Sequence, residues 1–507
     1  GVLAKMEEYN LDPAVVDSFS RQFLQEHQLL PLEKDETEIK FLSAEPLSLR
    51  VTDDLKVYCQ RNIKVKLIDD ELITELLNEY LGAPVDTVEG MMDDLNSFEL
   101  NQFADFDLES NVEDLEDLAQ EAPIIRLVNV IITNGLKQGA SDIHIEPFED
   151  EIRIRYRIDG VLYETEAPPK NVLPAIITRI KIMADLDIAE RRLAQEGRIR
   201  IKVLGRELDI RVSITPTLEG ESAVLRLLDR AEILLNLNNL GFTETMLERY
   251  LGVVEQPNGI VLVTGPTGSG KTTTLYATLN YLKSTDKKII TIEDPVEYQL
   301  DGINQIQVKP EIDFTFAEGL RSILRQDPDV IMVGEIRDLE TAEIAIQAAL
   351  TGHLVLATLH TNDAAGAVNR LLDMGVESYL LASTLNGVLA QRLVRRLCLE
   401  CKKSYQPDQS QLRSIQQELE GHEQVYQAVG CEECNNIGFA GRLGVYELLT
   451  VDQEITSAIS KEERIETIRK LARDKGMKSL FADAWEKFKA GQTTIDEIIR
   501  VTRNRGS

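Results

Sequence analysis

Residues 265–272 read Gly265-Pro266-Thr267-Gly268-Ser269-Gly270-Lys271-Thr272, the complete G-x4-G-K-[ST] pattern of a phosphate-binding loop. The apolar run Ile260–Thr264 before it predicts a strand, and Thr272–Leu282 after it predicts a helix. This strand–loop–helix order is the context in which the pattern binds nucleotides. Glycines let backbone N–H groups converge on phosphate oxygens, and the helix N-terminus adds positive dipole.

Each part of the loop has a predicted role. Lys271 would neutralise charge on the β- and γ-phosphates of ATP, and the Thr272 hydroxyl would bind Mg²⁺. A glycine-rich turn without a ligand is the alternative. The nucleotide-binding residues that we expect here are Gly265, Pro266, Thr267, Gly268, Ser269, Gly270, Lys271, Thr272 and Thr273.

Further apolar runs predict the sheet that carries the loop. Lys288–Ile292, Val330–Val333 and Leu354–Leu359 are nearly continuous apolar runs, typical of parallel strands buried on both faces. Strand and helix patterns alternate from Gly241 onward, and an earlier α/β pattern spans residues 123–229. The predicted fold class is α/β.

Acidic residues follow two of these strands. Glu335 comes after Val330–Val333 and Gly334, at the edge where open α/β sheets bind ligands. Its carboxylate could orient the attacking water or hold Mg²⁺ through water; an ordinary strand-end acid is the alternative. Gly334 stands where a Walker B strand usually has Asp. Glu293 begins a second acidic stretch, ending at Glu297, that would support Mg²⁺ or water, or form a solvated turn.

Arginines are placed to assist the predicted site. Arg321 and Arg325 are spaced to share one helical face, and Arg337 follows Glu335 by two residues. Arginines near a phosphate site can stabilise the charge that is transferred. Each arginine taken alone is equally compatible with a solvated surface.

Two histidines flank the run Leu354–Leu359. We predict that His353 and His360 face the same edge of the sheet and sense nucleotide or water. A structural role is the alternative for a single histidine. The predicted catalytic residues are Lys271, Glu335, Glu293 and His360.

The charge balance restricts the partners. The 507 residues include 55 Lys and Arg against 86 Asp and Glu, a net charge of -31, and no Lys or Arg occurs in Leu67–Ile125. Such a field repels nucleic acid and anionic lipid. No run of about eighteen apolar residues and no signal peptide is visible, so we expect no direct membrane insertion and a cytoplasmic location.

Four of the five cysteines form two CxxC pairs, Cys398 with Cys401 and Cys431 with Cys434. Two such knuckles present four thiolates to one tetrahedral ion, for which Zn²⁺ is the usual choice. Because all four ligands come from the protein, the site would be structural and closed. Two unrelated pairs are the alternative. Cys59 is predicted to be an ordinary, partly buried cysteine.

Several motifs together resemble those of the secretion ATPase superfamily, whose members power type II secretion, type IV pili and related machines. They lie at Arg325–Asp329, Gly334–Asp338, Leu350–His353 and Thr358–Asn362, and upstream at Ala140–Pro147, Glu190–Leu193 and Gln195–Arg198. The resemblance runs from Ala122 to Val501. It implies a RecA-like P-loop NTPase domain preceded by a PAS-like α/β domain and a small N-terminal domain, in a hexameric ring.

The resemblance also assigns residues. In the family, arginines of the PAS-like domain close over the nucleotide, and Arg211 and Arg226 match them. The matching arginines of the RecA-like domain are Arg321, Arg325, Arg337 and Arg370. The family's Walker B strand also lacks Asp and ends in Glu, so Gly334 and Glu335 fit it. The four-cysteine insertion is carried by assembly-direction motors and is absent from retraction motors.

We predict six segments along the chain. They are an N-terminal partner-docking domain (1–95), an acidic linker (96–121), the PAS-like domain (122–230), the RecA-like ATPase domain (241–390), a four-cysteine metal-binding subdomain (391–450) and a helical C-terminal subdomain (451–507).

Glu121–Asn129 and Asp187–Leu193 look most like the type II secretion branch of the family, with type IV pilus assembly as the alternative. That branch implies ATP, Mg²⁺ and Zn²⁺ as cofactors. It also implies docking on the cytoplasmic domain of an inner-membrane assembly protein, a polytopic inner-membrane platform protein as a second partner, and a peripheral position at the bacterial inner membrane.

Two alternatives come from other functional classes. The first is a nucleic-acid motor, which the acidity of the chain and the lack of a basic or aromatic groove disfavour. The second is a nucleotide-gated scaffold that does not hydrolyse ATP, which the intact Lys271 and Glu335 disfavour.

Overall fold

The computed structural model describes residues 122–203, 206–229, 236–407 and 424–502, with parts of the chain before residue 120. Those parts are 24, 29–34, 38–44, 47, 51–52, 55–56, 59, 61–68, 73 and 119; residue 412 is also described. The predicted linker, 96–121, lies outside the described residues apart from Ala119, and the predicted docking domain, 1–95, is described only in part. The chain divides into two compact units, Gly1–Ala231 and Glu232–Ser507.

A small sheet lies near the N-terminus. Its strands β1 (Leu29–Lys34), β2 (Glu38–Ser43) and β3 (Asn62–Leu67) are adjacent in that order, with β1 antiparallel and β3 parallel to β2. Leu30 and Phe41 are fully buried in its apolar core. This core is what holds the three strands together.

Residues 122–203 and 206–229 of the first unit form an antiparallel sheet with two α-helices. The elements are α1 (Ala122–Lys137), β4 (Ala140–Pro147), β5 (Ile152–Ile158), β6 (Val161–Thr165), α2 (Leu173–Met183), β7 (Gln195–Val203), β8 (Arg206–Thr217) and β9 (Gly220–Asp229). The strand order is β6-β5-β4-β9-β8-β7. Buried and half-buried residues alternate along β5, so one face of the sheet packs against α1 and α2 and the other is polar.

The second unit is built on a seven-stranded sheet. Its strands are β10 (Gly259–Thr264), β11 (Ile289–Glu293), β12 (Asn304–Gln307), β13 (Val330–Val333), β14 (Leu354–Leu359), β15 (Leu385–Leu397) and, after a short ribbon of β16 (Lys403–Tyr405) and β17 (Val425–Gln427), β18 (Phe439–Thr450). The order is β12-β11-β13-β14-β10-β15-β18, and every neighbouring pair is parallel except β15 with β18. The predicted α/β fold class is confirmed.

Helices cover both faces of this sheet. They are α3 (Glu244–Val254), α4 (Lys271–Leu282), α5 (Phe316–Ile323), α6 (Leu339–Leu350), α7 (Ala364–Asp373) and α8 (Ser378–Thr384). Along β10, Ile260 and Leu262 belong to one apolar core, whereas Val261 and Val263 belong to the other. Complete burial stabilises each such side chain by about 1.5–3 kcal/mol, so β10 is a rigid support for the loop at its end.

The cysteine-bearing segment emerges from the edge of this sheet. β15 pairs with β10 as far as Ala390 and with β18 as far as Leu397, so its last residues continue as a two-stranded ribbon. Cys398 follows β15 directly. The predicted boundary between residues 390 and 391 falls inside β15, because the strand that starts in the seven-stranded sheet runs on to the cysteines.

Four helices form the C-terminal part, as the sequence predicts. They are α9 (Gln453–Ser460), α10 (Ile465–Asp474), α11 (Leu480–Lys489) and α12 (Ile495–Thr502). Ile455 and Ile468 join one apolar core of the seven-stranded sheet, whereas Trp485 and Phe488 pack with Val394 on the ribbon. None of the helices in the described residues is both long and apolar enough to cross a membrane.

Candidate active site

The phosphate-binding loop joins β10 to α4. Gly268 and Gly270 have φ of 76° and 86°, in the left-handed region that favours glycine. A Cβ on Gly265 would stand 2.6 Å from both the Gln391 carbonyl oxygen and Ser269 Oγ. The backbone therefore requires the glycines of the motif, and the loop has the form of a phosphate cradle.

Lys271 begins α4 and folds over the loop. Its Nζ donates hydrogen bonds to the carbonyl oxygens of Gly265 at 2.9 Å and Pro266 at 3.2 Å. Burial lowers the pKa of Lys271 to about 8; Glu335 opposes this shift and Arg392 adds to it. The loop therefore carries a cation whose charge is lost only slightly above neutral pH.

Glu335 lies just beyond β13, with its side chain 14% exposed. Its carboxylate forms a salt bridge with Arg337 and lies 3.4 Å from His360 Nε2. Burial and the charge of Lys271 lower the pKa of His360, so the imidazole is neutral at pH 7 and can donate from Nε2 to the carboxylate. The structure thus brings Lys271, Glu335, Arg337 and His360 to one edge of the sheet.

Gly334 has little room for a side chain. A Cβ there would stand 3.2 Å from the Ile292 carbonyl oxygen and 3.3 Å from Glu293 Cα, both backbone atoms of the neighbouring strand. Backbone of a paired strand cannot move aside as a flexible side chain can. Packing therefore disfavours a Walker B aspartate at this position, and Glu335 is the acid at this strand end.

Glu293, the other predicted catalytic acid, is buried at the end of β11. Its carboxylate accepts hydrogen bonds from the Thr291 hydroxyl at 2.6 Å, the Gln305 amide at 3.0 Å and the Tyr276 hydroxyl. Tyr276 lies on α4, so Glu293 joins the sheet to the helix that follows the loop. Its predicted role toward Mg²⁺ or water stays a prediction.

The two histidines lie at opposite ends of β14. His360 follows the strand, whereas His353 precedes it and donates from Nδ1 to the Ala348 carbonyl at 2.8 Å, at the end of α6. The prediction that both face one edge is wrong, because the strand carries the chain across the whole sheet. At the edge of His360, the Thr358 hydroxyl donates to the Gly334 carbonyl at 2.6 Å and joins β14 to β13.

The predicted common helical face of Arg321 and Arg325 is also wrong. α5 ends at Ile323, and the chain then turns into β13 through Asp327, which has a φ of 54°. Pro328 follows, and the residue before a proline is disfavoured in helical conformation. Arg325 therefore lies beyond the helix.

Arg321 and Arg370 lie on the surface of the second unit. Arg321 forms salt bridges with Glu318 at 2.9 Å and Glu340 at 2.6 Å, and Arg370 is exposed on α7. Exposed pairs of this kind are weak and easily exchanged for another anion. The nucleotide contacts of these arginines and of Arg325 stay predictions.

Arg211 and Arg226, the arginines predicted to close over the nucleotide, lie in the first unit. They stand opposite each other on β8 and β9, and Arg226 Nε donates to Asp142 Oδ1 at 2.8 Å. Burial raises the pKa of Asp142, but hydrogen bonds from Arg226 and Ser141 hold it below its usual value. The contact of Arg211 and Arg226 with nucleotide stays a prediction.

Two polar residues of β15 belong to the site although no motif marks them. Gln391 is 1% exposed, and its Nε2 donates to the Ser269 carbonyl at 2.7 Å. Arg392 is 9% exposed and donates to the Asn362 carbonyl at 3.0 Å. A polar pair inside an apolar strand is the signal that could have identified them, because buried polar groups require partners.

The four cysteines of the CxxC pairs converge. Their Sγ atoms all lie within 4.8 Å of one another. The separations are 3.9 Å for Cys398–Cys431, 3.8 Å for Cys401–Cys434 and 3.7 Å for Cys431–Cys434. Tetrahedral zinc with Zn–S bonds of about 2.3 Å places its sulfurs about 3.8 Å apart, so the cluster is compatible with zinc.

Backbone N–H groups support the sulfurs. Gly430 donates to Cys401 Sγ at 3.3 Å, and Gly438 donates to Cys434 Sγ at 3.2 Å. Burial raises the pKa of Cys434, but N–H groups of Cys431 and Gly438 bring it down overall to about 7. The N–H groups therefore favour the thiolate at Cys434. At Cys431 a backbone hydrogen bond lowers the pKa, but burial and hydrogen bonds with the other thiols raise it overall.

Cys398→Ser tests whether the cluster is a zinc site, and it should lower the zinc content and destabilise the ribbon. A hydroxyl replaces the thiolate poorly, and structural zinc contributes directly to the free energy of folding. We expect zinc content to fall well below about one ion per chain, and the free energy of unfolding to fall by about 2 kcal/mol or more. Metal analysis and urea unfolding measure the two effects. Cys59→Ser, outside the cluster, is the control; unchanged zinc and stability in Cys398→Ser would contradict a metal site.

These features define a class of protein. A parallel α/β sheet, a glycine loop with Lys271 at the start of a helix, and Glu335 at a neighbouring strand end together form a P-loop ATPase.

Comparison with known proteins identifies the family. Residues 117–500 match the family model of type II/IV secretion system proteins, and residues 3–87 match the MshEN domain. Type II secretion system protein E of Xanthomonas campestris is 47% identical over 503 residues, which cover 96% of this chain and 85% of the relative. The type IV pilus assembly ATPase PilB of Myxococcus xanthus is 42% identical, with 97% and 88% covered. The chain belongs to the type II/IV secretion system protein family.

Two solved structures are similar to this chain in fold. The pilus retraction motor PilT, solved with bound ADP, is 28% identical and aligns over 74% of this chain and 97% of its own, with a TM-score of 0.51. The ATPase DotB of Legionella pneumophila, 23% identical, covers 74% of this chain and 94% of its own with a TM-score of 0.55 and shares the fold.

Proposed function

We propose that this chain is the ATPase that powers a type II secretion system, in which ATP hydrolysis drives pseudopilus assembly and protein export. The observation that carries the proposal is the meeting of Lys271, Glu335 and His360 at the edge of the sheet where the loop opens. Relatives that are 47–51% identical and named type II secretion system protein E support the choice of machine.

In the proposed reaction the phosphates of ATP lie over Gly265–Thr273. Mg²⁺, held by the Thr272 hydroxyl, would neutralise charge on the β- and γ-phosphates. Glu335 accepts a proton from the attacking water, and the neutral His360 orients the carboxylate by donating to it. Lys271 balances the charge on the phosphate that is transferred.

A homo-hexamer would complete this site. The arginines that would close over the nucleotide, from the same chain or a neighbour, are Arg211, Arg226, Arg321, Arg325, Arg337 and Arg370. Release of this closure after hydrolysis would pass motion to a polytopic platform protein of the inner membrane. Zinc at the four cysteines would hold the tip of the β15–β18 ribbon.

Residues 1–95 would dock on the cytoplasmic domain of an inner-membrane assembly protein. This contact would place a cytoplasmic ATPase at the periphery of the bacterial inner membrane, with residues 96–121 as the connection to the remaining segments. The acidic character of Leu67–Ile125 supports a protein partner over nucleic acid or anionic lipid.

Type IV pilus assembly is the second candidate, because PilB of Myxococcus xanthus is similar over 97% of this chain. Deletion of the gene in its host separates the two. Loss of protein export with pili retained supports type II secretion, whereas loss of pili with export retained supports pilus assembly.

Assembly should be visible in the enzyme's kinetics. If a ring completes the site, the specific rate of ATP hydrolysis rises with protein concentration and levels off once rings have formed. Steady-state rates over a wide concentration range, with oligomeric mass measured by light scattering, test this. A constant specific rate in a monomeric protein would contradict the ring, and DNA-stimulated hydrolysis would favour a nucleic-acid motor instead.

A further inference from the structure

Gln391 lies beside the phosphate-binding loop. β15 runs parallel to β10 with Ala390 paired to Thr264, so the next residue, Gln391, stands where β10 ends and the loop begins. Its side chain is buried, and Nε2 donates to the Ser269 carbonyl at 2.7 Å. A Cβ on Gly270 would stand 3.1 Å from the same Nε2, so the amide fits closely against the last glycine of the loop.

This hydrogen bond sets the direction of the peptide between Ser269 and Gly270. The Ser269 carbonyl and the Gly270 N–H belong to one planar trans peptide and point in opposite directions. An amide that holds the carbonyl on the side of β15 therefore turns the Gly270 N–H away from β15. In loops of this type, backbone N–H groups are what binds the phosphate oxygens.

The other end of the amide indicates that it is not kept for stability. Gln391 Oε1 is buried, and within the described residues it accepts no hydrogen bond. A buried acceptor without a partner costs free energy, whereas loss of the Nε2 donor would deprive the Ser269 carbonyl of its hydrogen bond. These two effects oppose each other, so an apolar side chain of similar shape should change the stability little. A buried polar group that adds little net stability is expected where function requires it.

We infer that Gln391 is a positioning residue for phosphate binding: its amide fixes the Ser269–Gly270 peptide so that the Gly270 N–H is oriented before nucleotide arrives. The inference rests on the proposed function, since it requires the loop to bind ATP. A donor that is already oriented binds more tightly because less ordering is needed on binding.

The test compares Gln391→Met with Asn386→Leu in the full chain. Asn386 lies on the same strand, and its amide also donates to a backbone carbonyl, that of Asn258 at 2.8 Å, at the other end of β10. We expect Gln391→Met to raise the Kd for Mg-ADP about fivefold or more, with its thermal unfolding midpoint nearly unchanged. Asn386→Leu should leave that Kd at the wild-type value. Calorimetric titration with ADP measures the affinity.

Gln391→Glu adds a readout that a purely structural role would not produce. A protonated carboxyl can donate its O–H to the Ser269 carbonyl as the amide does, whereas a carboxylate cannot. Burial raises the pKa of such a carboxyl. The Kd for ADP of Gln391→Glu should therefore match the wild type near pH 6 and rise above the wild-type value as pH increases.

The outcomes separate this inference from the proposed function. If the wild type binds ADP and Gln391→Met binds it equally well, the inference is overturned and the proposed function stands. If Gln391→Met is clearly less stable and Gln391→Glu shows no pH dependence relative to the wild type, Gln391 is structural and the inference is overturned. If the wild type does not bind ADP, both fall.

Discussion

Glu335→Gln should bind ATP normally and lose most of its hydrolysis. Glutamine keeps the size of the side chain, but its amide cannot accept the proton of the attacking water as the carboxylate does. A general base contributes about 10²–10⁴-fold, so we expect kcat to fall by a factor in that range. The Kd for ATP should change little, because the phosphates are held by the loop and Lys271. Steady-state kinetics together with equilibrium binding measure both quantities.

Glu343→Gln is the matched control for this experiment. Glu343 is exposed on α6 in the same unit, and its replacement removes the same charge without touching the edge of the sheet. Its kcat should equal that of the wild type. Turnover at the wild-type rate in Glu335→Gln would show that Glu335 is not the general base. The acidic residues that begin at Glu293 would then be the next candidates.

The sheet and its loop could be predicted because their signals are local. In β10, β13 and β14 every residue is buried, so the strands appear in the sequence as nearly continuous apolar runs. The loop pattern fixes its own position between a strand and a helix. Strand ends then follow directly, which is why Glu335 could be placed at the edge next to Lys271.

The path of β15 could not be predicted for the opposite reason. This strand begins in the parallel sheet and ends in an antiparallel ribbon, and its two halves have different neighbours. The CxxC pattern marks where the metal ligands begin, not where the strand that carries them starts. The contact of Gln391 with Ser269 depends on the register between β15 and β10, which no local pattern reports.

The orientation of the Glu293 side chain also could not be predicted from the sequence. Its position at a strand end was evident from the sequence, but the direction of its carboxylate was not. The Tyr276 hydroxyl reaches it from α4 and the Gln305 amide from β12. Donors from distant parts of the chain therefore decide whether an acid at a sheet edge faces a ligand or the core.

Lys271→Ala should abolish measurable hydrolysis and weaken nucleotide binding. A hydrogen bond to a charged group contributes about 1.5–3 kcal/mol, which corresponds to a Kd for Mg-ATP about 10–150-fold higher. Hydrolysis suffers further, because the same charge is needed on the phosphate in the transition state. Lys287→Ala removes an exposed lysine beyond the end of α4 and should leave both quantities unchanged. Turnover at the wild-type rate in Lys271→Ala would contradict the proposed site.

The titration of Lys271 predicts a second measurable effect, a pH dependence of nucleotide binding. The lysine is charged below its pKa, which burial lowers to about 8 in the protein without nucleotide. Bound phosphate favours the charged form, so binding is strongest where Lys271 is already protonated. Between about pH 7 and about pH 9 the protonated fraction falls about tenfold, and the Kd for ADP should rise by up to that factor. Binding at the higher pH should also take up a proton, which calorimetry in buffers of different ionisation enthalpy measures.

Lys271→Arg tests whether that pH dependence belongs to this residue. Arginine stays charged throughout the range, since its pKa lies above about 12. It is larger than lysine and should bind ADP more weakly at every pH, but its Kd should not rise between pH 7 and pH 9. A flat profile in Lys271→Arg beside a rising one in the wild type assigns the titration to Lys271. If the Kd rises equally with pH in both proteins, the titrating group is not Lys271. That result would show that Lys271 stays protonated up to pH 9 although it is buried in the loop.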